Sequence, residues 1–133
     1  MIELDDHGQP HYAFYREAVA DRAVTADGMN MACNNWPHLA IVCTGCLALA
    51  PQDKAKYLPW LQAQKGSGRW VVVDANMRPS VITDLADYRS NVLRALELAD
   101  LIKVSDEDLQ ALQCPGHDAL AQAQTLLSDV PAG

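Results

Sequence analysis

The sequence predicts an α/β fold built on a parallel sheet, on the strength of three observations. Three compact apolar runs, "HLAIVCTG", "WVVVD" and "DLIKV", recur through residues 38–104. Segments with helical spacing lie between and after them. Each run gives way to polar or turn-forming residues. Strand, helix, strand, helix, strand, helix is the pattern of a parallel sheet with right-handed crossovers. Apolar runs without alternation suit strands buried on both faces.

The 133 residues are half hydrophobic and one fifth charged, a globular composition with enough chain for one real core. The net charge of −7 argues against nucleic acid as a partner, because a polyanion binder needs a basic surface. No apolar run approaches the ~20 residues of a membrane span and no leader is evident, so the expectation is a cytoplasmic protein with no membrane partner. Its four cysteines, Cys33, Cys43, Cys46 and Cys114, are then reduced thiols.

Taken in order, residues 1–20 read as two short strands around a turn built from Asp5, Asp6 and Gly8, with Tyr12, Phe14 and Arg16 on one face of the second strand. Residues 21–133 form the α/β part. "TADGMNMACNN" reads as a short helix capped by Thr25. Pro51 is well placed to open the helix in "PQDKAKYLPWLQAQKGSG", Pro59 is expected to break or kink it, and Gly66 and Gly68 end it. Ile82, Leu85, Val92, Leu93 and Leu96 recur at helical spacing after the second strand. Leu109 and Leu112 mark a helix after the third, and "HDALAQAQTLLSDV" a last amphipathic one.

Ligands of open parallel sheets gather outside the carboxyl ends of the strands. In "WVVVDANMRPS", Asp74, Asn76 and Arg78 fall on one side of an extended chain, and Pro79 biases Arg78 toward extended backbone. A carboxylate, an amide and a guanidinium in a row suit a polyhydroxylated or anionic ligand. The same row also suits residues that bond neighbouring loops, with Arg78 in solvent. In "IKVSDEDLQAL", Ser105 and Asp108 match the S/T-x-x-D/E capping pattern, and spacing favours that over acids that hold Mg²⁺ through water. "CTGC" has the C-x-x-C spacing of redox and zinc sites. With no second pair of ligands at suitable spacing, buried and inert thiols are the better account of Cys43 and Cys46. His7, His11, His38 and His117 form no catalytic arrangement.

Three blocks in this order, "GQPHYAFYREAVADR", "VVVDANMRPSV" and "ADLIKVSDEDLQAL", resemble the ribokinase/PfkB carbohydrate kinase family, its bacterial fructokinases above all and its 2-keto-3-deoxygluconate kinases next. The resemblance runs over essentially the whole chain. It implies a partial ribokinase-like three-layer fold, with residues 1–20 as a hairpin of the lid. It implies sugar contacts from Phe14, Arg16, Asn76 and Arg78, and nucleotide contacts from Lys103 and Ser105. Asp108 would help order a metal ion, with ATP and Mg²⁺ as the cofactors. Ser105 and Asp108 stand where the family pattern is N-x-x-E, and both letters depart from it. Asp108 is one methylene shorter than glutamate.

The resemblance also implies parts that lie outside this sequence. A glycine pair that closes over the sugar would precede Met1. A "GAGD" block with the aspartate base and the amides around the transferred phosphate would follow Gly133. Without a general base, rates fall ~10²–10⁴-fold, and without an anion hole ~10²–10³-fold more. The expectation is therefore a sugar kinase segment that is inactive alone, with fructose as substrate and 2-keto-3-deoxygluconate as the alternative. A truncated kinase that acts only as a binding or interaction module is the alternative of another class. Unpaired edge strands would favour a homo-oligomer.

Overall fold

A computed structural model describes residues 2–4, 10–12 and 19–130, the first two stretches by their backbone. Strands β1 (Ile2–Leu4) and β2 (Pro10–Tyr12) pair antiparallel, with Ile2 opposite Tyr12 and Leu4 opposite Pro10. The turn residues Asp5, Asp6 and Gly8 lie outside the described residues, and so do Phe14 and Arg16.

Helix α1 (Ala26–Asn34) begins at Thr25, whose hydroxyl accepts the Gly28 N–H at 3.0 Å. Strand β3 (Ile41–Gly45) leads through two short turns of 3₁₀ helix into α2 (Lys54–Gly66). Strand β4 (Trp70–Asp74) follows, then α3 (Leu85–Leu96), capped by Asp84 accepting from the Asp87 N–H. Strand β5 (Leu101–Lys103), α4 (Asp106–Ala111) and α5 (Ala119–Asp129) complete the order.

Helix α2 runs through Pro59 without a break. An interior proline costs ~3 kcal/mol, but Leu58, Trp60 and Leu61 beside it are buried. Burial of side chains of this size contributes ~1.5–3 kcal/mol each, so packing outweighs the proline. Gly68, at φ 75, makes the turn that ends the segment.

The three later strands form a parallel sheet in the order β3-β4-β5, with Ile41 opposite Trp70, Val73 opposite Ile102 and Asp74 opposite Lys103. One face carries Val42, Val71 and Val73. These pack with Leu58 and Leu61 of α2, Tyr88, Val92 and Leu96 of α3, and Leu109 and Leu126 of α4 and α5. The other face differs from the expectation of strands buried on both sides. Ile41, Trp70 and Leu101 are 57%, 59% and 55% exposed, and the register puts them on one side together. Chain order explains it. Two crossovers of the same hand that step in the same direction lay their helices on the same side of a sheet.

Gln64 is buried in α2. Its Nε2 donates to Asn30 Oδ1 at 2.7 Å, and its Oε1 accepts from Arg69 Nη1 at 2.8 Å. A polar group so deep must be paired, and this pairing ties α1 and α2 to the start of β4.

Candidate functional site at the carboxyl ends of the strands

At the end of β3 the backbone approaches β4 so closely that a Cβ on Gly45 would lie 1.7 Å from the Asp74 carbonyl oxygen. Glycine is therefore a steric requirement there. The next residue, Cys46, has φ 53, and its N–H donates to Ala75 O at 3.1 Å. On the other side, the Ala75 N–H donates to Lys103 O at 3.0 Å. The three strand ends are thus joined in a row just where their ladders stop.

Beyond Asp74, burial keeps the two-residue alternation. Ala75 and Met77 are buried, while Asp74, Asn76 and Arg78 are partly exposed. The backbone does not stay extended as the sequence suggests, because Asn76 has φ 37. A residue with a Cβ pays ~1–2 kcal/mol for left-handed backbone, although asparagine visits it more readily than most. Arg78, before Pro79, sits at φ −128 and ψ 70, outside the α region. Its Nη1 turns back on the segment, donating to Met77 O at 2.9 Å and Asn76 O at 3.4 Å.

Asp74 and Lys103 come together. Ser105 and Asp108 form a complete capping box. Asp108 N–H donates to Ser105 Oγ at 3.1 Å, and Ser105 N–H to Asp108 Oδ2 at 2.9 Å. Asp108 also does what spacing alone does not reveal. It is 4% exposed, and its Oδ1 accepts the Met77 N–H at 2.6 Å. The residue thus joins the segment after β4 to the turn after β5. Placement of Phe14 and Arg16 relative to these groups lies outside the described residues.

Tyr88 of α3 is the residue that sequence reasoning missed. Its side chain is fully buried, its O–H donates to Cys46 O at 3.2 Å, and its oxygen accepts the Arg78 N–H at 3.4 Å. Burial, reinforced by the nearby Cys46 and Asp108 and opposed by the Arg78 amide and guanidinium, pushes its pKa up to about 12. The available signal was a tyrosine four residues before Val92 on an apolar helix face, since a buried phenol needs a partner for its tip.

The four cysteines are free thiols, but the expectation that Cys43 and Cys46 are buried is corrected. Cys43 is exposed and Cys46 is half-buried. Cys43 shares the uncovered sheet face with Trp70, because the register sets it opposite Val72.

No protein-family model matches the chain. Among curated proteins it is 28% identical over 127 residues to a fructokinase of Vibrio alginolyticus, covering 95% of this chain and 39% of that protein. It is 32% identical over 120 residues to a fructokinase of Rhizobium leguminosarum bv. trifolii, covering 86% and 35%. It is 33% identical over 110 residues to a fructokinase of Klebsiella pneumoniae, covering 82% and 34%. A crystal structure of fructokinase from Xylella fastidiosa with bound ATP superposes at a TM-score of 0.71 and 23% identity, over 96% of this chain and 39% of that one. A fructokinase of Vibrio cholerae in its apo form gives 0.60 at 25% identity, over 96% and 41%. This chain, an α/β unit with three parallel strands, is a homologue of the fructokinases, and it spans little more than a third of the length of these relatives.

Proposed function

We propose that the chain is the part of an ATP-dependent sugar kinase, of the ribokinase/PfkB type, that grips the sugar and one side of the nucleotide, with fructose as the acceptor. The observation that carries this is the run of polar residues Asp74, Asn76 and Arg78 at the carboxyl end of β4, with Lys103 of β5 paired to Asp74, in a chain homologous to fructokinases. The relatives' identity favours fructose over 2-keto-3-deoxygluconate. ATP is the nucleotide bound in the Xylella fastidiosa relative.

In the proposed reaction a sugar hydroxyl oxygen bonds to the γ-phosphorus of ATP, the bond from that phosphorus to the bridging oxygen breaks, and ADP leaves. The hydroxyl proton goes to a base, which the family resemblance places in a block outside this sequence. Such transfers depend on positioning and charge neutralisation. Asn76 and Arg78 would hold sugar hydroxyls, joined by Arg16 and with Phe14 against the apolar face of the sugar, both from residues 1–20 acting as a lid hairpin, while residues 21–133 would form the core. Lys103 would neutralise nucleotide phosphate, with Ser105 beside it.

Magnesium accompanies ATP in such chemistry, where it is held by one or two carboxylates together with the phosphates, and Asp108 would be the carboxylate of this chain that helps order it. Both Asp108 oxygens are engaged by backbone N–H groups, and no group of three metal-ligating side chains occurs among the described residues. Since Mg²⁺ keeps several waters, any part Asp108 takes in ordering it runs through water.

A cytoplasmic location goes with ATP as the phosphoryl donor in this reading; among the described residues no helix is long and apolar enough to cross a membrane. The outer edges of β3 and β5 have no partner strand among the described residues. We infer that copies associate through them, and light scattering that shows a monomer at all concentrations overturns this. For the activity, the decisive assay is fructose-dependent ADP release. The whole protein should show it and residues 1–133 alone should not. A whole protein inert with fructose ends the kinase reading.

A further inference from the structure

Two buried side chains, Tyr88 and Asp108, bind the central segment of the site through successive backbone amides. Tyr88 bridges Cys46 O, at the end of β3, and the Arg78 N–H, at 3.2 and 3.4 Å. Asp108 bridges the Met77 N–H and the Ser105 N–H, after β5, at 2.6 and 2.9 Å. Each side chain is buried. Each therefore spans two strand ends and anchors one of two successive amides, Met77 and Arg78.

The need for anchors is visible in the segment itself. Asn76 is held at φ 37, and an unusual backbone conformation persists only where its surroundings over-determine it. The two amides that follow Asn76 are the groups that Tyr88 and Asp108 hold. Phenylalanine at position 88 would fill the same space and keep the apolar packing, yet it would leave Cys46 O and the Arg78 N–H without this partner. The hydroxyl is thus separable from the role of the ring in the core.

We propose that Tyr88 is a positioning residue of the sugar site, whose hydroxyl, together with the Asp108 carboxylate, fixes the Asn76–Arg78 segment in its sugar-binding conformation. The proposal rests on the reading of Asn76 and Arg78 as sugar contacts. It adds Tyr88, which touches no substrate and acts through the backbone, and it gives Asp108 a backbone role beside its proposed part in ordering the metal ion.

The test uses the whole protein that contains this chain, with Tyr88→Phe and, separately, Asp108→Asn, which replaces an acceptor oxygen with a donor facing an N–H. Amide exchange is followed by NMR, and fructose and ATP are each titrated by chemical shift. In Tyr88→Phe, exchange at Arg78 should accelerate at least tenfold while Val71 and Val73 stay protected. Fructose should bind at least fivefold more weakly with ATP binding unchanged. Asp108→Asn should release Met77 in the same manner. A Tyr88→Phe protein that melts earlier but keeps wild-type exchange at Arg78 and wild-type fructose affinity overturns the proposal and leaves the sugar reading standing. A wild-type protein whose shifts do not respond to fructose overturns the sugar reading, and the positioning role with it.

Discussion

Asp74 and Lys103 face each other across the β4–β5 ladder, with Lys103 Nζ 2.9 and 3.0 Å from the two carboxylate oxygens of Asp74. The pair stands at the carboxyl end of the sheet, and the lysine side chain is 66% exposed. An ion pair so open to water contributes ~0–1 kcal/mol to stability. Lys103→Met should therefore melt close to the wild type. If Lys103 meets a nucleotide phosphate, the same variant should lose about tenfold in ATP affinity, the worth of one modest charge-assisted bond. Calorimetric titration with ATP separates the two effects, and unchanged affinity removes Lys103 from the nucleotide site.

Alkaline stability should carry the signature of Tyr88. The phenol's pKa rises from 10.0 to about 12 on folding, mainly because burial disfavours the phenolate. Above pH 10 the unfolded chain releases this proton while the folded one keeps it. Stability is thus fully present below pH 10 and falls as pH climbs toward 12. Urea melts across that window should show a smaller decline in Tyr88→Phe than in the wild type. Parallel declines would show that other groups set the alkaline limb.

The approach of β3 to β4 makes a sharp steric prediction. A methyl group on Gly45 would overlap the Asp74 carbonyl oxygen, which is backbone and cannot swing away. Gly45→Ala should cost at least ~1–3 kcal/mol, the usual scale of overpacking. It should also disturb the Cys46–Ala75 hydrogen bond next to it. A melting temperature within a degree of the wild type would contradict this account of the strand ends.

Thiol chemistry should distinguish the cysteines by position. Cys43 is exposed on the uncovered sheet face. Burial pushes the Cys114 thiol pKa up, and the Asp129 carboxylate adds to it. Since the thiolate is the reactive form, iodoacetamide at mildly alkaline pH should label Cys43 well before Cys114. Peptide mass spectrometry over a time course reads the order directly, and a reversed order would refute the assigned exposures.

Much of the architecture is written locally. Thr25, Asp84, Ser105 and Asp118 each cap a helix with their own side chain, and that chemistry is carried within four residues. The strands are equally plain, because three apolar runs of β-branched residues have few other uses. Pro59 misleads, since the cost of a proline is local but the packing that outweighs it is not. The exposure of Cys43 is hidden for a similar reason. A run such as "IVC" shows that a strand is apolar, not how many of its faces find cover. At the site, the capping box is visible as a spacing, yet the reach of Asp108 to Met77 and of Tyr88 to Cys46 joins residues 31 and 42 positions apart. Such pairings depend on how the strands are laid side by side, and no periodicity records them.

The order β3-β4-β5 along the sheet repeats the order of the chain. Each strand therefore finds its neighbour in the segment made just before it, and nothing synthesised later has to be inserted between them. Each pairing closes one crossover, from Ile41 to Trp70 or from Val72 to Leu101, which is slower to close than a hairpin but shorter than a pairing of strands that are not consecutive in the chain. On the ribosome, β3 and α2 would be waiting when β4 emerges, and β4 and α3 when β5 does, so this unit can build outward at the pace of translation.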